Sequence, residues 1–154
     1  MDILRDALDG LSAATWHTRY DTFLGELARA LSSVGDISGG LAAIDRALER
    51  TEDTGGRWHV PELLRIKGEL ILLDGASHAI PAAEQLFVQS LDLARQQGAL
   101  SWELRTATSL ARLHQTQSRR EIARNVLTPI FNRFTEGFQT DDLLAAKALL
   151  DELT

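Results

Sequence analysis

The chain has 154 residues, 44% hydrophobic and 25% charged, with a formal net charge of −6 and no cysteine. This balance excludes a disordered chain and rules out disulfide or thiolate chemistry, and a net negative protein is a poor direct nucleic-acid binder, which needs a concentrated positive face. Leucine and alanine dominate while aromatics make only 6%, so helices are expected throughout.

Met1 to Ala14 reads as a short amphipathic helix, with Ile3, Leu4, Ala7, Leu8 and Leu11 on one face. It has no hairpin partner before it, as if it were the second half of a repeat. A second helix is expected from about Thr18 to Val34, with Leu24, Leu27, Ala28 and Leu31 spaced by three and four. Gly35 then ends it and Asp36 caps the next helix, Ile37 to about Glu52. Gly55-Gly56 closes this first hairpin. In the second, Pro61 suits the first turn of a helix that is apolar around most of its circumference (Leu63, Leu64, Ile66, Leu70, Ile71, Leu73). Pro81 is expected to start its partner, which carries Ala83, Phe87, Ser90, Leu91 and Ala94 on one stripe and stops at Gly98.

The third hairpin spans 101–137. Ser118 with Glu121 three residues on has the spacing of a capping box, and Ile122, Ala123, Val126, Leu127, Ile130, Phe131 and Phe134 follow at helical spacing. Pro129 falls inside that pattern, where it should kink the helix. Thr140 is placed to cap a last helix, with Asp141 and Asp142 at its positive dipole end and Leu143, Ala146, Leu150 and Leu153 covering the core. The chain thus divides into a partial leading helix (1–14), three hairpins (16–55, 58–98 and 101–137) and a capping helix (140–154).

The hairpins repeat one another. Ala28, Gly68 and Ala111 come into register as the small residue of each first helix, 40 and 43 residues apart. Gly40, Ala83 and Ala123 do the same for each second helix, and Ile44, Phe87 and Leu127 stand four further on. Small residues let two helices approach closely while the bulky residue fills the groove beyond. A tryptophan precedes each first helix (Trp16, Trp58, Trp102), and its volume suits a wedge between successive hairpins.

This small–small–aromatic spacing, with Phe87 as the aromatic and Ile44 and Leu127 in its place elsewhere, resembles the tetratricopeptide repeat in a degenerate form longer than its consensus of about 34 residues. PELLRIKGELIL (61–72), SWELRTATSLARL (101–113) and FTEGFQTDDLLAAKALLDEL (134–153) more specifically resemble the C-terminal helical repeats of large bacterial multidomain regulators. In those proteins a nucleotide cyclase or winged-helix domain precedes an AAA-type ATPase module and the repeats. The resemblance implies an all-α, right-handed superhelix of antiparallel hairpins. It further implies a non-catalytic regulatory module for signal transduction or transcription regulation. The lack of cysteine and the charged residues Asp2, Arg5, Asp6 and Asp9 near the start, unlike a signal peptide, lead to the expectation of a cytoplasmic protein. Its partner would be a protein, a peptide or another domain of the parent protein. A structural oligomerisation segment, dimerising through the leading helix, is the alternative.

No phosphate-binding loop or HExxH zinc motif is present, and the four histidines (His17, His59, His78, His114) lack ligand spacing. No catalytic, cofactor or metal site is therefore expected, and His114 is expected to be a packed, hydrogen-bonded core residue. The longest apolar run, Leu70 to Leu73, is far too short to span a membrane.

In a tetratricopeptide hairpin the first helix faces the groove three residues before and one after its small residue. Carried onto this chain, that selects Gly25 and Arg29, Arg65 and Glu69, and Thr108 and Arg112, with Thr22, Glu62 and Arg105 one turn earlier. Four arginines would then line one face, as a clamp for a carboxylate or an acidic peptide. The alternative is local ion pairing at three- and four-residue spacing, Glu26 with Arg29, Glu62 with Arg65 and Arg65 with Glu69, each pair worth about 0.2–0.5 kcal/mol.

Overall fold

The structure, a computed structural model, describes residues 17–54 and 57–154, with side chains described over 23–51 and from 57 onward. The expected leading helix, Trp16, Gly55-Gly56 and the Thr22 side chain lie outside the described residues. These residues form seven α-helices and no strand: α1 (His17–Ser33), α2 (Ile37–Thr54), α3 (Val60–Asp74), α4 (Ala79–Gln96), α5 (Leu100–Thr116), α6 (Arg120–Phe131) and α7 (Asp141–Glu152). A single 3-10 turn, Arg57–His59, leads into α3. Consecutive helices pack as the pairs α1/α2, α3/α4 and α5/α6, while α3 also touches α1, α5 touches α3, and α7 touches α5 and α6. The first helices of the pairs and α7 are therefore neighbours in one row.

Apolar side chains gather in two clusters. Leu24, Leu27, Ala28 and Leu31 of α1 meet Ala43, Ile44 and Ala47 of α2 and Leu63, Ile66 and Leu70 of α3. The second cluster runs from Ala83 and Phe87 of α4 through Leu104 and Ala111 of α5 and Leu127 of α6 to Leu143 and Leu149 of α7. Small residues set how closely the helices approach. A Cβ on Gly40 would come within 3.0 Å of the Ala28 carbonyl oxygen, and Gly68 lies under the ring of Phe87. A polar staple crosses the same region: the Ser90 hydroxyl donates to the Pro61 carbonyl and bonds Thr106 Oγ1, both at 2.7 Å, with Ser90 and Thr106 fully buried.

Most helix ends follow the sequence. Gly35 and Gly98 take positive φ after α1 and α4, and the Asp36 carboxylate accepts the Gly39 amide at 2.9 Å as the cap of α2. Four junctions differ from expectation. Ser118 does not cap α6 in a box with Glu121. It adopts φ 61° and closes α5, its own amide bonding Gln115 O and that of Arg119 bonding His114 O. That bond pattern normally uses glycine, and it leaves Arg119 at the cap position with no side-chain cap. Helix α6 stops at Phe131 rather than reaching Phe134, two residues beyond Pro129, whose missing N–H weakens the last turn. Helix α4 begins at Ala79, two residues ahead of Pro81. Thr140 stands at the head of α7, but its hydroxyl donates back to Gly137 O at 2.8 Å instead of capping.

The expected wedge fails at Trp58. Trp58 is 47% exposed in the 3-10 turn, where the buried position goes to His59, with Val60 buried at the start of α3. Trp102 is half-buried, with the Arg105 guanidinium 5.1 Å from its ring centre. His114 is packed at 5% exposure, yet its Nδ1 has no hydrogen-bond partner, so only the packing half of the expectation holds.

Candidate functional site

A cleft of about 740 Å³ opens along the row of first helices. Helix α1 contributes Arg29, α3 contributes Arg65 and Glu69, and α5 contributes Arg105, Thr108, Ser109 and Arg112. The far end is formed by Gln139, Thr140, Asp141, Asp142 and Ala145 at the head of α7. Residues 105, 108, 109 and 112 share a face because they recur at helical spacing, and the same spacing places Arg65 and Glu69 together on α3. All four arginines selected from the sequence thus meet in one cleft, with Glu69 and Thr108. Gly25 does not join them: it is buried, and a Cβ there would meet Leu63 and Ile66 at 3.2 and 3.5 Å, so it serves helix packing.

Glu62 lies beneath the cleft rather than on its wall. Only 8% exposed, it takes Arg65 as a fork, with Nε to Oε2 at 2.7 Å and Nη2 to Oε1 at 2.8 Å. The Arg65 Nη1 group reaches Glu69 Oε1, and the Ser109 hydroxyl donates to the same oxygen at 2.8 Å. Burial by itself would lower the Arg65 pKa, but the bonds and charges of Glu62 and Glu69 outweigh it and hold the guanidinium above its ordinary value. Arg65 is therefore a closed brace within α3, and it meets α5 through Ser109, whose Oγ lies 3.4 Å from Nη1.

Arg105 is held less completely. Its Nε donates to Asp142 Oδ2 at 2.7 Å and its Nη1 to Glu62 Oε1 at 3.3 Å. Burial opposes its charge, while the Asp142 hydrogen bond and the Glu62 charge raise its pKa. Arg29 stands 4.0 Å from Glu26 with both side chains more than half exposed. Arg112 is exposed and makes no ion pair among the described residues. The arginines thus range from a saturated brace to an open cation, and local pairing accounts for only part of the set. The Thr108 hydroxyl donates to Leu104 O within its own helix, leaving its oxygen as the group it can offer a ligand.

Sequence spacing missed the α7 residues and Ser109. Ser109 was accessible as the residue four after Arg105 on the same face. Asp141 and Asp142 were assigned to the helix dipole, and nothing local indicated that α7 packs beside α5. Among the described residues, no three His, Cys, Asp or Glu side chains gather where they could hold a metal ion, and no helix is long and apolar enough to cross a membrane. No protein-family model matches the chain, and no curated protein matches it.

Proposed function

We propose that the chain is a non-catalytic binding and regulatory module that engages a protein or peptide partner through the cleft beside α1, α3, α5 and α7. The observation that carries this is the convergence of four arginines from three helices on one polar cleft, with Arg29 and Arg112 left open to solvent. The cleft has the volume of a ligand site, and its walls sit on helices braced from beneath. The tetratricopeptide-like superhelix belongs to the same proposal. It is supported by paired helices whose first members lie side by side and by the close approach at Gly40 and Gly68. In such an array a partner biases the relative placement of hairpins and so signals to attached domains of a multidomain regulator of signalling or transcription, without chemistry in this segment.

Selection from an unbiased displayed-peptide library tests the proposal, with a folded Arg29→Glu/Arg112→Glu variant as the counter-selection. Peptides kept by the natural chain and lost by the variant are expected. Peptides that bind both equally would place binding elsewhere. Oligomerisation through the amino-terminal edge is favoured by a different observation, the 46% exposure of Phe23 on α1. Light scattering separates the two, because a monomer at all concentrations removes oligomerisation.

A further inference from the structure

Resting on the cleft as the binding face, the inference here concerns what occupies it and what regulates that occupancy. Arg65 has nothing left to offer: its side chain is 8% exposed and it is bonded to Glu62 and Glu69. Arg105 and Arg112 differ. They lie on the same face of α5, seven residues and therefore about 10.5 Å apart, and both line the cleft. Arg112 has no ion-pair partner among the described residues. Arg105 has one on the cleft wall, and it comes from the last helix: Asp142, at 2.7 Å, with 35% of each side chain exposed.

We propose that the cleft takes an acidic peptide segment laid along α5, and that Asp142 is its internal stand-in, holding Arg105 until a carboxylate of the ligand displaces it. Two cations about 10.5 Å apart match carboxylates three residues apart on a polyproline II chain, which rises about 3.1 Å per residue and returns to the same face every third residue. Arg29 on α1 extends the positive wall in the direction of a longer ligand. A cleft of about 740 Å³ is far larger than one small anion requires, and its polar lining suits a chain with many hydrogen-bonding groups. The exchange is feasible because the outgoing bond is a partly exposed ion pair, which is weak, and an equivalent carboxylate replaces it. The net gain for the ligand comes from Arg112, which surrenders no protein partner. Helix α7 need not undock, since Leu143, Ala146 and Leu149 stay buried on its other side while the Asp142 side chain turns toward water.

Asp141 supplies the control. It lines the same cleft and carries the same charge, but it forms no ion pair among the described residues. The full chain is titrated into fluorescein-labelled hexaglutamate at low ionic strength, by fluorescence polarisation, with circular dichroism verifying that each variant is folded. Asp142→Asn is expected to tighten binding about fivefold, the upper value for a partly exposed pair, and Asp141→Asn by less than twofold. Asp142→Ser, which also suits a first helical turn, repeats the comparison with a shorter side chain. Arg112→Gln is expected to weaken binding about tenfold. If Asp142→Asn and Asp142→Ser are no tighter than Asp141→Asn, Asp142 is not a competitor. If citrate or inorganic phosphate binds as tightly as hexaglutamate, the occupant is a small anion and not a peptide. If hexaglutamate binds none of these proteins, the acidic occupant is excluded. The proposed binding function itself survives any of these results if displayed peptides without acidic residues bind in a cleft-dependent way, and falls only if they do not.

Discussion

The ring of Phe87 occupies the space in which a side chain on residue 68 would begin: a Cβ built on Gly68 falls 2.6 Å from Cε1 and 3.0 Å from Cζ. Phe87 is fully buried, so the ring has nowhere to retreat. Through this contact the apolar cluster built on α4 to α7, on which Leu72 also packs, reaches the backbone of α3, whose Leu63, Ile66 and Leu70 face α1 and α2. Gly68→Ala is expected to destabilise the fold by about 2 kcal/mol despite alanine's better helix propensity, because overpacking outweighs it. Gly25→Ala, whose new Cβ would meet only the movable ends of Leu63 and Ile66, is expected to be neutral or slightly stabilising. Chemical denaturation of both variants checks the contrast, and equal effects would contradict it.

Ser118 is a non-glycine residue at positive φ closing α5, at the place where Gly35 and Gly98 close α1 and α4. A side chain there costs about 1 kcal/mol in backbone strain. Ser118→Gly is therefore expected to stabilise the protein by roughly that amount, less the extra freedom of glycine in the unfolded chain. A rise in midpoint on thermal unfolding is the result to look for. A fall would mean that the Ser118 hydroxyl supports the turn.

The cleft arginines should separate into brace and contact. Arg65→Ala leaves the carboxylate of Glu62 buried with only the longer bond from Arg105, and is expected to cost about 3 kcal/mol. Arg112→Ala removes an exposed side chain with no ion pair among the described residues and should change stability by less than about 0.5 kcal/mol. Urea unfolding distinguishes them. The difference also makes Arg112, not Arg65, the informative site for binding experiments.

His114 gives the fold a defined pH response. Burial lowers its pKa below the ordinary histidine value; the nearby charge of Glu84 opposes the shift and that of Arg119 reinforces it. The folded protein then takes up its proton at lower pH than the unfolded chain does. The stability this group contributes is complete above the unfolded histidine pKa and is lost as pH falls from there through the lower folded pKa. Thermal midpoints are expected to drop between pH 7 and pH 5, above the carboxylate range, and to drop less in His114→Gln. Parallel pH profiles in the two proteins would show that His114 is not the titrating group.

By itself the sequence determined the helices, the three hairpins and which face of α3 and α5 carries the arginines, because period, small-residue register and glycine stops are local properties that survive whatever the chain packs against. The resemblance to the tetratricopeptide repeat put Arg29, Arg65, Glu69, Arg105, Thr108 and Arg112 on one face, but it also put Gly25 and Glu62 there, which lie in the helix packing and beneath the cleft. The pairs Glu26–Arg29, Glu62–Arg65 and Arg65–Glu69 were legible as local spacing, but tertiary structure decided their burial and what each arginine has left to offer. Glu62 and Arg65 became a buried brace because α5 covers them, and Asp142 became a partner of Arg105 because α7 docks beside α5. Ser118 is the exception: the bonds that make it a helix stop rather than a cap run to Gln115 and from Arg119 to His114, so that departure is local. Pairings between distant segments depend on how helices settle against one another, and no short-range pattern encodes that placement.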